Sequence, residues 1–299
     1  MYRTIVDPHQ LADLVGRDQL ADLSGRDQFA DLSGRDDVVI LDARFLLDDE
    51  EWGRREYAAG HIPGAVYANC ATDLSGPVVD GVTGRRPFPD PETFRATLGT
   101  WGIGPGTQVI AYDADRGLMA ASRLWLMLRW MGHDDVAVLD GGIAAWLAAG
   151  YAVDTEVPTP VPTEFRGIVR PELLADVDEV DAIRRDPSYR VLDSRSAEGY
   201  HGGGKYYDPV RGHIAGAGLA DRADTLDPDG TFRTPEALRE HFAAILGDTA
   251  PGNAVFYCGS GITAAQNVLA MEIAGLSGSR MYVGSWSEWI TDPSREIEL

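Results

Sequence analysis

Short apolar runs recur along the chain: VVIL (38–41), QVIAY (108–112), VAVL (136–139), AVFY (254–257) and RMYV (280–283). Each has the length of a strand, is rich in β-branched or aromatic residues and shows little apolar–polar alternation. That pattern belongs to strands covered on both faces. Between them lie helical patterns: PETFRATLGTWG (91–102), AASRLWLMLRWMG (120–132), PEALREHFAAILG (235–247) and TAAQNVLAMEIAG (263–275). Buried strands alternating with helices predict an α/β fold, a parallel sheet with helices on both faces.

The landmarks occur twice in the same order. VVILDAR (38–44) is answered by YRVLDSR (189–195), 151 positions later, and GHIPGA (60–65) by GHIAGA (212–217), 152 later. QVIAYD (108–113) is answered by AVFYC (254–258), which sets Asp113 opposite Cys258 at an offset of 145. LDGGIAAW (139–146) is answered by YVGSWSEW (282–289) at an offset of 143. Four ordered landmarks with slowly drifting offsets predict two copies of one domain, over 1–150 and 172–299. The stretch between them, 151–171, reads as a linker in which Pro158, Pro160 and Pro162 favour an extended, semi-rigid course.

A second repetition is local: LADLVGRDQ (11–19), LADLSGRDQ (20–28) and FADLSGRDD (29–37). A nine-residue unit is too short to be a solenoid repeat. Two extra copies add ~5 helical turns and keep the apolar face in phase, which suits an extended helix. Gly16, Gly25 and Gly34 each cost about 1 kcal/mol in a helix interior, which suits a bulged-out loop equally well. This 11–37 segment is assigned no chemistry.

Composition narrows the partners. Among 299 residues, 26 are basic and 47 acidic, a formal net charge of −21. Such a chain is poorly suited to nucleic acid, which is bound by neutralising phosphates, or to an anionic membrane surface. The length suits two domains, and 44% hydrophobic residues suffice for a real core. Two cysteines, Cys70 and Cys258, are too few for a disulfide scaffold. The opening MYRTIVDPHQ lacks the apolar run of a signal peptide, and the apolar stretch 117–132 is broken by Arg123 and Arg129. The expectation is a soluble, cytoplasmic protein with no nucleic-acid or membrane partner.

In open α/β sheets, ligands bind beyond the carboxyl ends of the strands. The segment AVFYCGSGITAAQ places Cys258 directly after a strand and before a helix, with Gly259 and Gly261 beside it. Small residues there let successive N–H groups turn toward a sulfur atom, and a helix N-terminus adds about half a positive charge. Both effects favour thiolate over thiol and would stabilise a persulfide anion. The plainer alternative is a buried cysteine acting as a small hydrophobe.

Together, LDAR, GHIPGA, LDGG…W and a strand ending in Cys before a short loop and helix resemble the tandem-domain rhodaneses, thiosulfate and 3-mercaptopyruvate sulfurtransferases. The resemblance runs from about residue 38 to 292. It implies two tandem rhodanese-like domains and a ping-pong reaction. The Cys258 thiolate takes a sulfane sulfur from a small-molecule donor, holds it as a persulfide and passes it to cyanide, a thiol or a thioredoxin-like protein thiol. No cofactor is implied. The first domain of such proteins carries Asp in place of Cys, as Asp113 does here, which makes it the inactive copy. The 3-mercaptopyruvate branch carries the loop CGSGVT, and this chain has CGSGIT: Cys258, Gly259, Ser260, Gly261, Ile262 and Thr263. The expected donor is therefore 3-mercaptopyruvate. Thiosulfate sulfurtransferase and a non-catalytic persulfide- or partner-binding module are the alternatives.

The chain departs from that branch at two points. A relay from the Ser260 hydroxyl through a His and an Asp of the first domain would fall near Arg86 and Ala71, neither of which relays a proton. Asp73 is the nearest substitute. The arginine usual before the aromatic after the second LDxR is Gly199 here. Arg211 is then the first choice for the substrate carboxylate, since Arg captures carboxylates bidentately. Lys205, Arg86 and Arg195 come behind it, and Arg195 more simply pairs with a carboxylate near the sheet edge. GGGKYY (202–207) lacks the Ser/Thr of a phosphate loop. A rhodanese-like phosphatase would need Arg where Ala264 stands. His61, His213 and Cys70 lack metal-ligand spacing, and the two histidines sit in a turn common to both copies. Trp125, Trp130, Trp146, Trp286 and Trp289 read as core and interdomain packing.

Overall fold

The computed structural model describes residues 1–16, 37–114, 119–205 and 207–299. Beyond its first six residues, nearly all of the nine-residue repeat lies outside the described residues. The chain divides into two units, Met1–Leu74 with Pro89–Val169, and Ser75–Phe88 with Arg170–Leu299. This division differs from the sequence expectation in two places. Residues 75–88 join the second unit, and the Pro-rich connector stays with the first as far as Val169.

The first unit runs β1 (Ile5–Val6), α1 (Pro8–Val15), β2 (Val38–Asp42), α2 (Trp52–Ala59), β3 (Val66–Tyr67), α3 (Pro91–Thr100), β4 (Gln108–Tyr112), α4 (Ala120–Trp130), β5 (Val136–Leu139) and α5 (Gly142–Ala148). Its sheet has the order β1-β5-β4-β2-β3, and every pairing is parallel. All of β4 and β5 is buried, as continuous apolar runs require. Helices α1 and α3 start where the sequence supplies an acceptor. Asp90 takes the N–H groups of Glu92 and Thr93 ahead of Pro91, and Asp7 forms a capping box with Gln10. Helix α1 ends at Gly16, whose φ of 90° lies outside the helical range.

The second unit repeats this plan with β6 (Leu174–Ala175), α6 (Val177–Ile183), β7 (Arg190–Asp193), α7 (Ala197–Tyr200), β8 (His213–Ile214), β9 (Gly218–Leu219), α8 (Pro235–Leu246), β10 (Ala254–Tyr257), α9 (Ala264–Ile273), β11 (Arg280–Tyr282), α10 (Ser285–Trp289) and β12 (Ile297–Glu298). Its parallel sheet is ordered β6-β11-β10-β7-β9, position for position the order of the first unit. A small antiparallel pair, β8 with β12, stands apart from this sheet. Apolar patterning did not announce it, because two-residue strands leave no periodic trace. The first unit has its counterpart in the antiparallel bridge between His61 and Asp154. In both units the chain leaving the domain therefore pairs with the GHI turn.

The repeated motifs build the same internal scaffold twice. Arg44 grips the Asp42 carboxylate through Nε and Nη2 and donates to the Gly60 carbonyl at 2.7 Å. Arg195 does the same to Asp193 and the Gly212 carbonyl, also at 2.7 Å. In each unit a tyrosine hydroxyl from the central strand, Tyr112 or Tyr257, accepts the N–H of the Ile in GHI at 3.1 Å. His61 stacks on Tyr57 and His213 on Tyr200, with ring centroids 3.9 and 3.6 Å apart. The LDxR and GHI motifs are thus one hydrogen-bonded unit that fixes the crossover beside the central strands. Trp146 and Trp289 fill matching core positions and donate to the carbonyls of Ala152 and Glu296. Among the described residues, no helix is long and apolar enough to cross a membrane.

Candidate active site

Strand β10 ends at Tyr257, the loop 258–263 follows, and α9 begins at Ala264. Cys258 is thereby set at the carboxyl edge of the sheet, where open parallel sheets present ligands. Its side chain is buried. Burial alone would push the thiol pKa up, but the Thr263 hydroxyl and the N–H groups of Ser260, Ala264 and Gly261 all donate to the sulfur and carry it below the ordinary thiol value. Gly261, at φ 78°, supplies the left-handed turn that aims these N–H groups inward. The start of α9 lies behind them and adds its dipole.

The second wall of the site is the 284–287 turn. Cys258 N–H donates to the Ser285 hydroxyl at 3.1 Å, and that oxygen lies 3.9 Å from the sulfur. The carbonyls of Cys258 and Gly259 accept the N–H groups of Trp286 and Ser287, both at 2.9 Å. Ser285 is held at φ 55° and is the only non-glycine with positive φ among the described residues. Its counterpart in the first unit is Gly142, at φ 60°. A serine pays roughly 1–2 kcal/mol for this conformation and is kept there with its hydroxyl against the sulfur. The sequence signal for it was available, since GGI in one copy reads GSW in the other.

In the first unit the equivalent position is Asp113, whose carboxylate accepts the N–H groups of Met119 and Ala121 at 3.1 and 3.0 Å. A carboxylate thus caps α4 where a sulfur caps α9.

The charged candidates separate clearly. Arg195 is spent on Asp193 and Gly212, as Arg44 is spent on Asp42 and Gly60 in the unit where Asp113 takes the place of Cys258, so its primary role is structural. Arg211 and Lys205 are exposed, the latter with Nζ 5.2 Å from the Tyr207 ring. Asp73 is engaged in its own turn, accepting the Asn69 N–H at 2.8 Å. The residue that sequence reasoning missed is Arg85, the neighbour of Arg86. Its N–H donates to the Ser287 hydroxyl at 3.0 Å, and one of its Nη atoms lies 3.6 Å from where a Cβ on Gly259 would stand. Burial lowers the Arg85 pKa, Arg86 and Arg195 push it the same way, and the Cys258 thiolate opposes them. Gly84 makes this approach feasible, because a Cβ there would collide with the Gly284 carbonyl. Among the described residues, no group of three or more His, Cys, Asp or Glu is arranged to hold a metal ion.

Such a site can hold a nucleophilic sulfur as an anion and keep an additional sulfur anionic after transfer. Replacing Thr263 by Val removes one donor with little change in shape. The pH profile of Cys258 alkylation is then expected to move to higher pH, with slower reaction at neutral pH; an unmoved profile would show that the hydroxyl does not act on the sulfur. The depressed thiol pKa also contributes stability that is present above the unfolded thiol value, about 8.5, and lost as pH falls through the folded one.

Comparison with known proteins points the same way. The family described as Rhodanese-like domain matches residues 25–149 and 176–292. The chain is 44% identical over 262 residues to a probable 3-mercaptopyruvate sulfurtransferase of Pseudomonas aeruginosa, covering 87% of this chain and 92% of that one. It is 34% identical over 265 residues to the putative thiosulfate sulfurtransferase SseB of Mycobacterium tuberculosis, covering 87% and 90%. Among solved structures, SseA from Escherichia coli, titled a 3-mercaptopyruvate sulfotransferase, superposes with a TM-score of 0.76 at 26% identity, covering 96% of this chain and all of that one. Two ordered matches, together spanning most of the chain and falling on the two sheets that carry Asp113 and Cys258, make this protein a member of the rhodanese family, with the rhodanese-like domain in tandem.

Proposed function

We propose that the chain is a sulfurtransferase that moves the sulfane sulfur of 3-mercaptopyruvate to a thiophilic acceptor through a persulfide on Cys258. The observation that carries this reading is the ring of donors from Ser260, Gly261, Thr263 and Ala264 around a buried sulfur. In the first half-reaction the Cys258 thiolate attacks the donor sulfur. An S–S bond forms and the S–C bond breaks, its electron pair leaving on carbon as the enolate of pyruvate. That carbon takes up the proton of the donor thiol, so pyruvate departs and Cys258 is left as a persulfide anion. In the second, cyanide attacks the outer sulfur, leaves as thiocyanate and restores the thiolate; a thiol acceptor works in the same way. Backbone N–H groups already in place accept the charge at each stage without rearrangement.

The loop CGSGIT supports the mercaptopyruvate reading, since hydroxyls stand where a thiosulfate site would carry charge. Thiosulfate is the second reading, favoured by the names of several relatives. The same reading places the protein in a reducing, cytoplasmic setting, where Cys258 stays a thiol. The test combines mass analysis of the protein after each donor with kcat/KM for both. The expected result is one added sulfur atom on Cys258, discharged by cyanide, and a higher kcat/KM for 3-mercaptopyruvate. A large advantage for thiosulfate would reverse the donor assignment, and no added sulfur from either donor would leave a binding module.

A further inference from the structure

We propose that Arg85 is the residue that selects a carboxylate-bearing sulfur donor, and that Asp208 is an internal carboxylate that occupies its guanidinium until the donor displaces it. The inference rests on the sulfurtransferase reading above and concerns the substrate contact of that same site.

The placement of Arg85 is fixed by backbone. Its N–H donates to Ser287 Oγ at 3.0 Å, and the Ser287 N–H donates to the Gly259 carbonyl at 2.9 Å. Two hydrogen bonds therefore tie Arg85 to the residue that follows the sulfur. Gly84 lies against the Gly284 carbonyl with no room for a Cβ, which locks the same approach from the other side. The guanidinium faces Gly259, with one Nη atom 3.6 Å from where a Cβ there would stand. From the neighbouring loop the Asp208 carboxylate forms an ion pair with it. Arg85 is 34% exposed and Asp208 12%, so this pair is partly withdrawn from water, unlike the surface pairs that contribute little. The Tyr207 ring lies 5.9 Å from the Arg85 guanidinium carbon and covers the pair from the loop side.

Carboxylate is the chemistry that matches this arrangement. A guanidinium presents a planar fork that a carboxylate can fill with two parallel hydrogen bonds, and Asp208 sets a carboxylate beside it. Arg195, the other guanidinium whose field reaches Cys258, is already committed to Asp193. A 2-oxo acid with a thiol on its third carbon carries its carboxylate carbon three bonds from the sulfur. It can therefore hold the fork while its sulfur meets Cys258. Exchange of one carboxylate for another keeps Arg85 paired throughout, which suits a chain of net charge −21 that would otherwise repel an anionic donor.

The experiment measures pyruvate binding by titration calorimetry alongside steady-state kinetics on the full chain. Pyruvate carries the carboxylate but no sulfur, so its binding is read independently of turnover. Asp208→Asn is expected to tighten pyruvate binding and lower KM for 3-mercaptopyruvate several-fold. Arg85→Gln is expected to weaken both by about tenfold or more, with a smaller change in kcat, and Arg85→Lys to fall between, since it keeps the charge and loses the fork. Should Arg85→Gln misfold, Arg85→Lys and Asp208→Asn still move pyruvate affinity in opposite directions. Pyruvate affinity unchanged in all three variants overturns the proposal. Pyruvate affinity that shifts as expected in a protein that turns over neither donor upholds the carboxylate site and overturns the sulfurtransferase reading instead.

Discussion

Cys258→Ser protein is expected to fold normally and to lose sulfur transfer from 3-mercaptopyruvate and thiosulfate alike, with kcat/KM down by a factor on the order of 10⁴ or more. The hydroxyl is slightly smaller than the thiol and faces the same N–H groups, so the loop has no reason to rearrange. It remains protonated at neutral pH, where the thiol is lowered toward ionisation by Thr263 and the N–H groups of Ser260, Ala264 and Gly261 against the opposing effect of burial. It also cannot carry a sulfane sulfur as a persulfide does. Mass analysis after exposure to either donor should show no added sulfur. Cys70→Ser is the control: Cys70 is buried in the first unit, so its replacement costs stability there and leaves transfer intact. Undiminished turnover by the Cys258→Ser protein would end the persulfide account.

Asp193→Ala carries the second large effect, a loss of about 3–5 kcal/mol in stability. Asp193 has no exposed surface and holds Arg195 through Nε at 2.9 Å and Nη2 at 2.5 Å. Removing the carboxylate leaves a largely buried guanidinium uncompensated. It also loosens the link through Gly212 to the GHI turn and leaves the hydroxyl of Tyr257, the residue before Cys258, without its charged neighbour. At about 2–4 °C per kcal/mol, calorimetry should record a fall of roughly 10 °C in the transition of the affected unit. Asp42→Ala breaks the same network in the first unit, where no cysteine follows the central strand. The two variants are expected to lose similar stability, but only Asp193→Ala should also slow Cys258 alkylation and sulfur transfer. A change below 1 kcal/mol in Asp193→Ala would mean that the network is not what holds the crossover.

Much of this architecture was legible in the chain. Continuous apolar runs such as QVIAY and AVFY identify strands because burial on both faces removes alternation. The paired LDxR and GHI motifs expose the duplication because each motif is one hydrogen-bonded unit and must keep its spacing. Cys258 stood out because strand, cysteine, glycines and helix follow one another without interruption. What escaped were contacts between segments distant in sequence. In GRR, nothing local distinguishes Arg85 from Arg86; the choice is made by Gly84 meeting the Gly284 carbonyl, two hundred positions away. Asp208 was invisible for the same reason. The pairing of β8 with β12 was missed because two residues show no period.

The matching caps on α4 and α9 have a consequence for the reaction as an electrostatic cycle. The Asp113 carboxylate accepts two N–H groups at its helix start, as a single negative charge would. A thiolate and a persulfide at Cys258 are each also single negative charges, so loading and unloading sulfur leaves the charge at that helix start constant. The second unit thereby keeps, through every turn of the proposed reaction, the charge balance that the Asp113 carboxylate gives the first. A reagent that caps Cys258 as a neutral thioether breaks this equivalence, and the fold itself should register the loss.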